Sequence, residues 1–408
     1  MSREPRPNPQ STASISDYGE HKRASLTVAG RTYVIVSKQG AFSHGRTDPA
    51  SLMLAKHAAT ASSGATVVDM NCGNGMAGTV AALSGAAQVH LTDRNVVNAD
   101  AARRTIAENK ACNAEVWLGH GAHPLPRDLA ADLVMIRIPK ERLALLQLIA
   151  DAHRLLRPGG SCCLAGATNE GIKTAAGTLE RIFGGGRTLD RESGHRLVCA
   201  TRSSTPADLP GELASSFLDF DTFHQYDAVL RGHAIRVSTR PGVFSWDHLD
   251  EATSILAGVM VVERGQSVLD IGCGAGALGT LAGLLSGDAR VLMLDADIEA
   301  VRSATRTAHM AGLTNAEART SDVGLAAQGE RFDVVVTNPP FHVGKVTDLT
   351  VPMQFIDDAF TALNAGGRMY LVANRTLPYE RAVESRFGNV QKVHDGVRFK
   401  VLLGRRAE

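Results

Sequence analysis

Long apolar runs are missing from this 408-residue chain. None reaches the roughly 18 residues a helix needs to cross a bilayer, which argues against a membrane protein. The opening stretch MSREPRPNPQSTASISDYGEH lacks the apolar core of a signal peptide and reads as a disordered, mildly basic tail over residues 1–23. Cysteine pairing signals are missing too. Cys72, Cys112, Cys162, Cys163, Cys199 and Cys273 form no CxxC and lie mostly in apolar strand or turn contexts, which predicts reduced core thiols in a cytoplasmic protein. His120 and His123 have no acidic partners at ligand spacing, so no metal site is expected. Net charge is nearly absent at +1, but it splits into +6 for residues 1–200 and −5 for residues 201–408. A basic half joined to an acidic half points to a polyanion docked on one side, although scattered surface charge explains the numbers equally well.

What the chain does have is a copy of itself. At a period near 202 residues, AFSHGRTDPASLMLA (41–55) matches VFSWDHLDEATSILA (243–257), and ATVVDMNCGNGMAG (65–78) matches QSVLDIGCGAGALG (266–279). VHLTDRN (89–95) matches VLMLDAD (291–297), DAHRLLRPGG (151–160) matches DAFTALNAGG (358–367), and GHRLVCA (194–200) matches GVRFKVL (396–402). Such a repeat is too long for a solenoid unit and suits a duplicated domain. The expected division is a tail at 1–23, a first domain at 24–202, a Ser- and Pro-rich linker at 203–216 and a second domain at 217–408. Within each copy an apolar strand enters a Gly-rich turn, a helix follows, and strands and helices alternate. The fold class is therefore α/β, with two tandem Rossmann-like, mostly parallel sheets, each closing in an antiparallel hairpin. Ligands of such sheets sit at the carboxyl ends of the strands, where Asp270, Asp295, Asp322 and Asn338 all fall.

The second copy carries the chemistry. GAGALG (274–279) satisfies the dinucleotide pattern GxGxxG, and Asp295 follows about 20 residues on, as an acid on ribose hydroxyls would. DVVVTNPPFH (333–342) then ends a buried strand abruptly: two prolines stiffen the exit and hold Asn338 and Phe341 at its carboxyl end. VLDIGCGAG resembles the first motif of class I S-adenosylmethionine methyltransferases, and Asn338-Pro339-Pro340-Phe341 resembles the signature of those that methylate a planar amine. A dehydrogenase has no use for that second motif. The amine's lone pair is delocalised, so the side-chain oxygen of Asn338 and the carbonyl of Pro339 would accept its two N–H bonds and aim it, while Phe341 stacks on the base.

The two lobes together with NPPFHVG (338–344), VANRTLPY (372–379) and RFKV (398–401) resemble the tandem-domain ribosomal RNA guanine-N2 methyltransferases, from about residue 25 to 404. That resemblance implies a catalytic second lobe and a decayed first lobe serving stability and RNA recognition. It implies S-adenosylmethionine as cofactor, held by Asp270, Gly272, Cys273, Gly274, Gly276, Asp295 and Asp322, with Asn338 facing it and Phe244 and Asp250 flanking its pocket. Asn338, Pro339, Pro340 and Phe341 would hold a flipped guanine. IRIPK and VANRTLPY are at home in a large-subunit type of this family, TNPPFHVG and PGVFS in a small-subunit type, and the latter is favoured. The partner would be ribosomal RNA or a ribosomal subunit, without metal or membrane. Other acceptors of a methyl group on such a motif are DNA adenine and protein glutamine, and a different class of protein altogether is a non-catalytic RNA-binding assembly factor.

In the first copy Asn71 replaces Gly272 and Arg137 replaces Asn338. Asn71 puts a side chain where backbone should face the cofactor, and Arg137 can only donate hydrogen bonds. The first lobe should have lost catalysis and kept its fold, with Arg137, Lys140 and Arg196 as RNA-binding residues around the dead site. Two lobes in one chain replace a homodimer, so a monomer is expected.

Overall fold

The computed structural model describes residues 18–203, 213, 215–340 and 349–408. The chain opens with an antiparallel hairpin, β1 (His21–Val28) and β2 (Arg31–Lys38), followed by α1 (Pro49–Ala61). Next come β3 (Thr66–Met70), α2 (Met76–Leu83), β4 (Gln88–Asp93), α3 (Val96–Asn109), β5 (Ala114–Leu118) and β6 (Ala131–Arg137). The lobe ends with α4 (Arg142–Leu155), β7 (Leu156–Ala167), α5 (Ile172–Phe183), β8 (Arg187–Glu192) and β9 (His195–Thr201).

The second lobe repeats the plan. A hairpin, β10 (His224–Leu230) and β11 (His233–Thr239), precedes α6 (Glu251–Val259), β12 (Val268–Ile271), α7 (Ala277–Ser286) and β13 (Val291–Asp295). Then follow α8 (Ile298–Met310), β14 (Ala316–Thr320), β15 (Phe332–Thr337), α9 (Thr350–Ala362), β16 (Leu363–Asn374), α10 (Tyr379–Phe387), β17 (Gln391–Asp395) and β18 (Phe399–Arg405).

Each lobe has one seven-stranded sheet, in the order β5-β4-β3-β6-β7-β9-β8 and β14-β13-β12-β15-β16-β18-β17. In the second lobe β18 enters antiparallel between β16 and β17, so the closing hairpin runs as its sequence suggests. Helices cover both faces, which is why the central strands read as unbroken apolar runs rather than alternating ones. All four residues of β12 are buried. The strand order reverses between β12 and β15, whose last residues Ile271 and Thr337 are paired. A crevice opens at that switch point, beyond the strands' carboxyl ends.

The lobes meet through the same turn of each copy. Asn95 and Asp297 pair in an antiparallel bridge, Val96 N–H donates to the Ala296 carbonyl at 2.8 Å, and Ile298 N–H donates to the Arg94 carbonyl at 3.0 Å. The contact is the intramolecular form of a two-fold interface, in which equivalent patches face one another. Arg94 adds an ion pair to Asp297, and the buried Arg240 joins Glu299 of its own lobe to Gln147 of the other.

Two expectations need correcting. Structure is already present inside the supposed tail: Tyr18 is 5% exposed and packs into the core of the second lobe, and β1 starts at His21. Residues 1–17 and most of the supposed linker lie outside the described residues. Cys163 and Cys199 are joined in a disulfide rather than reduced. They stand directly opposite each other on β7 and β9, so their side chains leave one face of the sheet together, and their separation in sequence carries no sign of it. Cys72, Cys162 and Cys273 are buried free thiols. Among the described residues no helix is long and apolar enough to cross a membrane.

Candidate active site

A cleft of about 2420 Å³ runs between the lobes and is lined by both. On the second lobe's side it exposes the turn after β12. Gly272 and Gly276 have φ of 75° and 82°, in the left-handed region that β-carbons disfavour. A side chain at Gly276 would also meet the Ala304 backbone at 2.8 Å, so that position can only be glycine. Gly272, Cys273 and Gly274 line the cleft, while Asp270 does not. Asp270 is fully buried behind the turn, where its Oδ2 accepts the Gly279 N–H at 2.9 Å and fixes the start of α7. Burial pushes its carboxyl up to about 7, against that one hydrogen bond. Its place is therefore bracing the turn from behind.

Asp295 faces the cleft at the end of β13. Its Oδ2 accepts the Gly274 N–H and its Oδ1 the Asp297 N–H, both at 2.9 Å. Burial, reinforced by Asp297, raises it to about 6. Asp322 lies beyond β14 and is held by the other lobe. Lys38, the last residue of β2, forms an ion pair with it, and the Tyr18 hydroxyl donates to its other oxygen. The Lys38 ammonium also sits 4.5 Å from the centre of the Tyr18 ring.

Asn338 follows β15 with its amide fixed. Nδ2 donates to Asp250 Oδ2 and to Thr253 Oγ1, each at 3.0 Å. Asp250 is the N-cap of α6, its Oδ2 accepting the Thr253 N–H at 2.9 Å. These bonds dictate which way the amide faces, and Asn338 Oδ1 is left buried with no partner among the described residues. A buried acceptor without a donor costs about 1–3 kcal/mol, so it is a natural place for a ligand's N–H. Pro339 and Pro340 line the cleft beside it. Phe341 lies outside the described residues. Phe244 lines the same cleft and is 64% exposed.

The first lobe has the same frame, filled from within. Arg137 pairs with Asp48 and Glu170 and is 7% exposed. It borders the cleft with its charge already paired inside its own lobe, which corrects the expectation of a phosphate-binding arginine. Asn71 takes the left-handed backbone of Gly272, at φ 57°, and donates to the Arg137 carbonyl at 2.8 Å. Asn98 donates to Asp93, the counterpart of Asp295, and accepts the Phe42 N–H; the second copy has Ala300 in that position. Lys140 is exposed on the cleft's rim, while Arg196 is half-buried on β9 and does not line it.

Sequence reasoning missed Tyr18, Lys38, Asn98 and Thr253. Asp250 three residues before Thr253 is a readable N-cap pattern. Lys38 and Tyr18 lie 284 and 304 residues from Asp322 and leave no local trace. Among the described residues, the grouping at metal-ligand spacing is His57, Cys163 and Cys199; two of these form the disulfide, and none lines the cleft.

The repeated frame is matched by the methyltransferase small domain profile, which fits residues 32–198 and again 234–403. The chain belongs to the methyltransferase small domain family. Ribosomal RNA small subunit methyltransferase C of Hahella chejuensis is 33% identical over 288 residues, 71% of this chain and 81% of that protein. The Shewanella pealeana protein of the same name is 30% identical over 69% of this chain and 80% of its own length. Among solved structures, the T. thermophilus 16S rRNA N2 G1207 methyltransferase RsmC, in complex with AdoMet and guanosine, matches with a TM-score of 0.78 and 27% identity. That match covers 96% of this chain and 100% of that one. The molecule is therefore two tandem methyltransferase domains of the RsmC type, with the open pocket in the second.

Proposed function

We propose that this protein is a small-subunit ribosomal RNA guanine-N2 methyltransferase that uses S-adenosylmethionine as methyl donor. The observation that carries the reading is the buried, unpartnered Asn338 Oδ1, fixed in direction by Asp250 and Thr253. An amine conjugated to a ring is a poor nucleophile until its N–H bonds are held. Asn338 Oδ1 and the Pro339 carbonyl accept them, turning the lone pair out of the ring plane toward the methyl group. S-adenosylmethionine, when bound, supplies a methyl already activated on a sulfonium, so positioning does most of the work and no metal is needed. The turn from Gly272 to Gly274 and Asp295 fit the cofactor, with open backbone facing the cleft and an acid beside it for ribose hydroxyls. Asp322 takes the adenine end.

The names of the relatives, and the guanosine in the T. thermophilus complex, support small-subunit RNA as the substrate. The target guanine must leave its stack, which costs a few kcal/mol, so the enzyme needs phosphate contacts elsewhere to hold the RNA. The basic first lobe, with Lys140 at the rim, supplies them. We place the enzyme in the cytoplasm as a monomer, its domains dividing near the expected linker.

The test separates binding from chemistry. Asn338→Ala should leave cofactor affinity within about twofold while turnover at saturating RNA falls roughly 100-fold or more. Near-normal turnover would make the turn after β15 structural only. In a deletion strain, mass mapping of 16S rRNA should show loss of an N2-methylguanosine at the nucleotide corresponding to G1207.

A further inference from the structure

The closed pocket of the first lobe holds one of its own side chains in place of a ligand, and its grip can be followed atom by atom. Arg137 stands where Asn338 stands in the second lobe. Its Nε donates to Asp48 Oδ2 at 3.3 Å, just as Asn338 Nδ2 donates to Asp250 Oδ2. The two terminal nitrogens reach further. Nη2 donates to Asp48 Oδ1 at 3.2 Å and Nη1 to the Ile138 carbonyl at 2.7 Å. Phe42 covers the group, its ring centre 4.8 Å from Cζ. Glu170 completes the set, its Oε1 accepting from Nη2 at 2.7 Å.

Each of the main contacts has a counterpart in the second lobe: Asp250 Oδ1, the Pro339 carbonyl and Phe244. Asp250 lines the cleft, and its Oδ1 accepts nothing from the described residues, because Thr253 and Asn338 both bond to Oδ2. Phe244 lines the cleft and is 64% exposed. Asn338 Oδ1 waits beside them. The open pocket thus offers a planar guest two side-chain oxygens, one carbonyl and a ring.

A guanidinium and the Watson–Crick edge of guanine share a donor pattern. In guanine, N1–H and the N2 amine stand side by side on C2, so that edge is a cyclic guanidine. Adenine offers a lone pair at N1 and no amine on C2, and cytosine sets its amine beside an unprotonated ring nitrogen. We infer that Asp250 selects guanine: its Oδ1 accepts N1–H, Asn338 Oδ1 and the Pro339 carbonyl accept the two N2–H bonds, and Phe244 lies over the ring. The inference rests on the guanine-N2 reading above and moves Asp250 from the cofactor to the base. Arg137 is then a built-in imitation of the substrate, and it closes the first lobe by satisfying the same acceptors. A base with a lone pair at N1 would turn it toward the carboxylate and leave that acceptor unpaired. Sites built to bond a donor reject analogues lacking it far more strongly than apolar pockets reject a change of size.

The test uses the full-length enzyme on RNA carrying guanine or 2-aminopurine at the target nucleotide. 2-Aminopurine keeps the N2 amine but has a lone pair at N1. Wild type should favour guanine in kcat/KM by roughly 100-fold or more. In Asp250→Asn the amide oxygen can keep the Thr253 and Asn338 bonds while its NH2 group replaces Oδ1. That variant should lose roughly 100-fold on guanine and shift toward 2-aminopurine, narrowing or inverting the preference, with cofactor affinity nearly unchanged. Asp250 acting only as a cap and brace would lower both bases by the same factor, and that result overturns the inference. So does wild type methylating both bases equally, which leaves the guanine-N2 reading standing. Failure of wild type to methylate guanine in any ribosomal RNA removes that reading and the inference with it.

Discussion

Asn338 and Arg137 show how one position decides whether a pocket is open. Both follow the same strand and both face an aspartate that caps the next helix, Asp250 or Asp48. A short amide leaves an oxygen free, whereas a long guanidinium fills the space and satisfies its own surroundings. Removing one partner of a buried ion pair costs more than the pair is worth, because the other charge is left unpaired. Arg137→Ala should therefore destabilise the fold by about 3 kcal/mol, the low end for such pairs because a cleft adjoins it. Thermal melting checks this, and an unchanged melt would mean water already satisfies Asp48 and Glu170. The buried acids set a pH dependence. Burial holds Asp270 at about 7, above its ordinary value, so the folded protein keeps a proton that the unfolded chain releases. The stability this group contributes is fully present below the ordinary carboxylate value of about 4 and is lost as pH rises from there to about 7, at up to about 1.4 kcal/mol per pH unit, with little further change above. The melting temperature should climb as pH falls from 7 to 5, and Asp270→Asn should remove part of that slope. A slope unchanged in the variant would show that Asp270 does not titrate there.

The β1–β2 hairpin does more than open the first lobe. Its last residue, Lys38, and Tyr18 just before it take both oxygens of Asp322 in the second lobe, and Lys38 and Asp322 are only 12% and 13% exposed. The first lobe therefore holds part of the second lobe's pocket in place. Lys38→Met should weaken cofactor binding by about 1 kcal/mol, some fivefold, through a less fixed Asp322, with turnover at saturating cofactor little changed. Calorimetry with S-adenosylhomocysteine measures it, and unaltered affinity would leave the ion pair as lobe packing alone. These contacts also mark where sequence reading stops. The strands, their parallel order and the stiff turn at Asn338 are written locally, in apolar runs, glycines and prolines. The Lys38–Asp322 pair and the Cys163–Cys199 disulfide depend on which elements become neighbours. No spacing encodes that. Arg137 was legible as a residue unable to accept a hydrogen bond, but its inward direction was not, because Glu170 arrives from beyond β7 to draw it in.

Across the whole molecule, duplication explains both the two-fold contact and the unequal lobes. The turns at Asn95 and Asp297 meet as equivalent patches, so the two pockets open onto one cleft. One of them is filled by Arg137, Asn71 and Asn98, and the other keeps Gly272, Ala300 and a free Asn338 oxygen. The repeat was evident in the sequence, and so was the loss of Gly272 and Asn338 from the first copy. Asn98 was not, since an asparagine in a helix's first turn is more often a cap than a plug. The division of labour has a direct consequence for stoichiometry. Titration of the full-length protein with S-adenosylmethionine, followed by calorimetry, should give one site per chain, lost in Asp295→Ala and kept in Asp93→Ala. Two equivalent sites, or a site that survives Asp295→Ala and disappears in Asp93→Ala, would contradict the account.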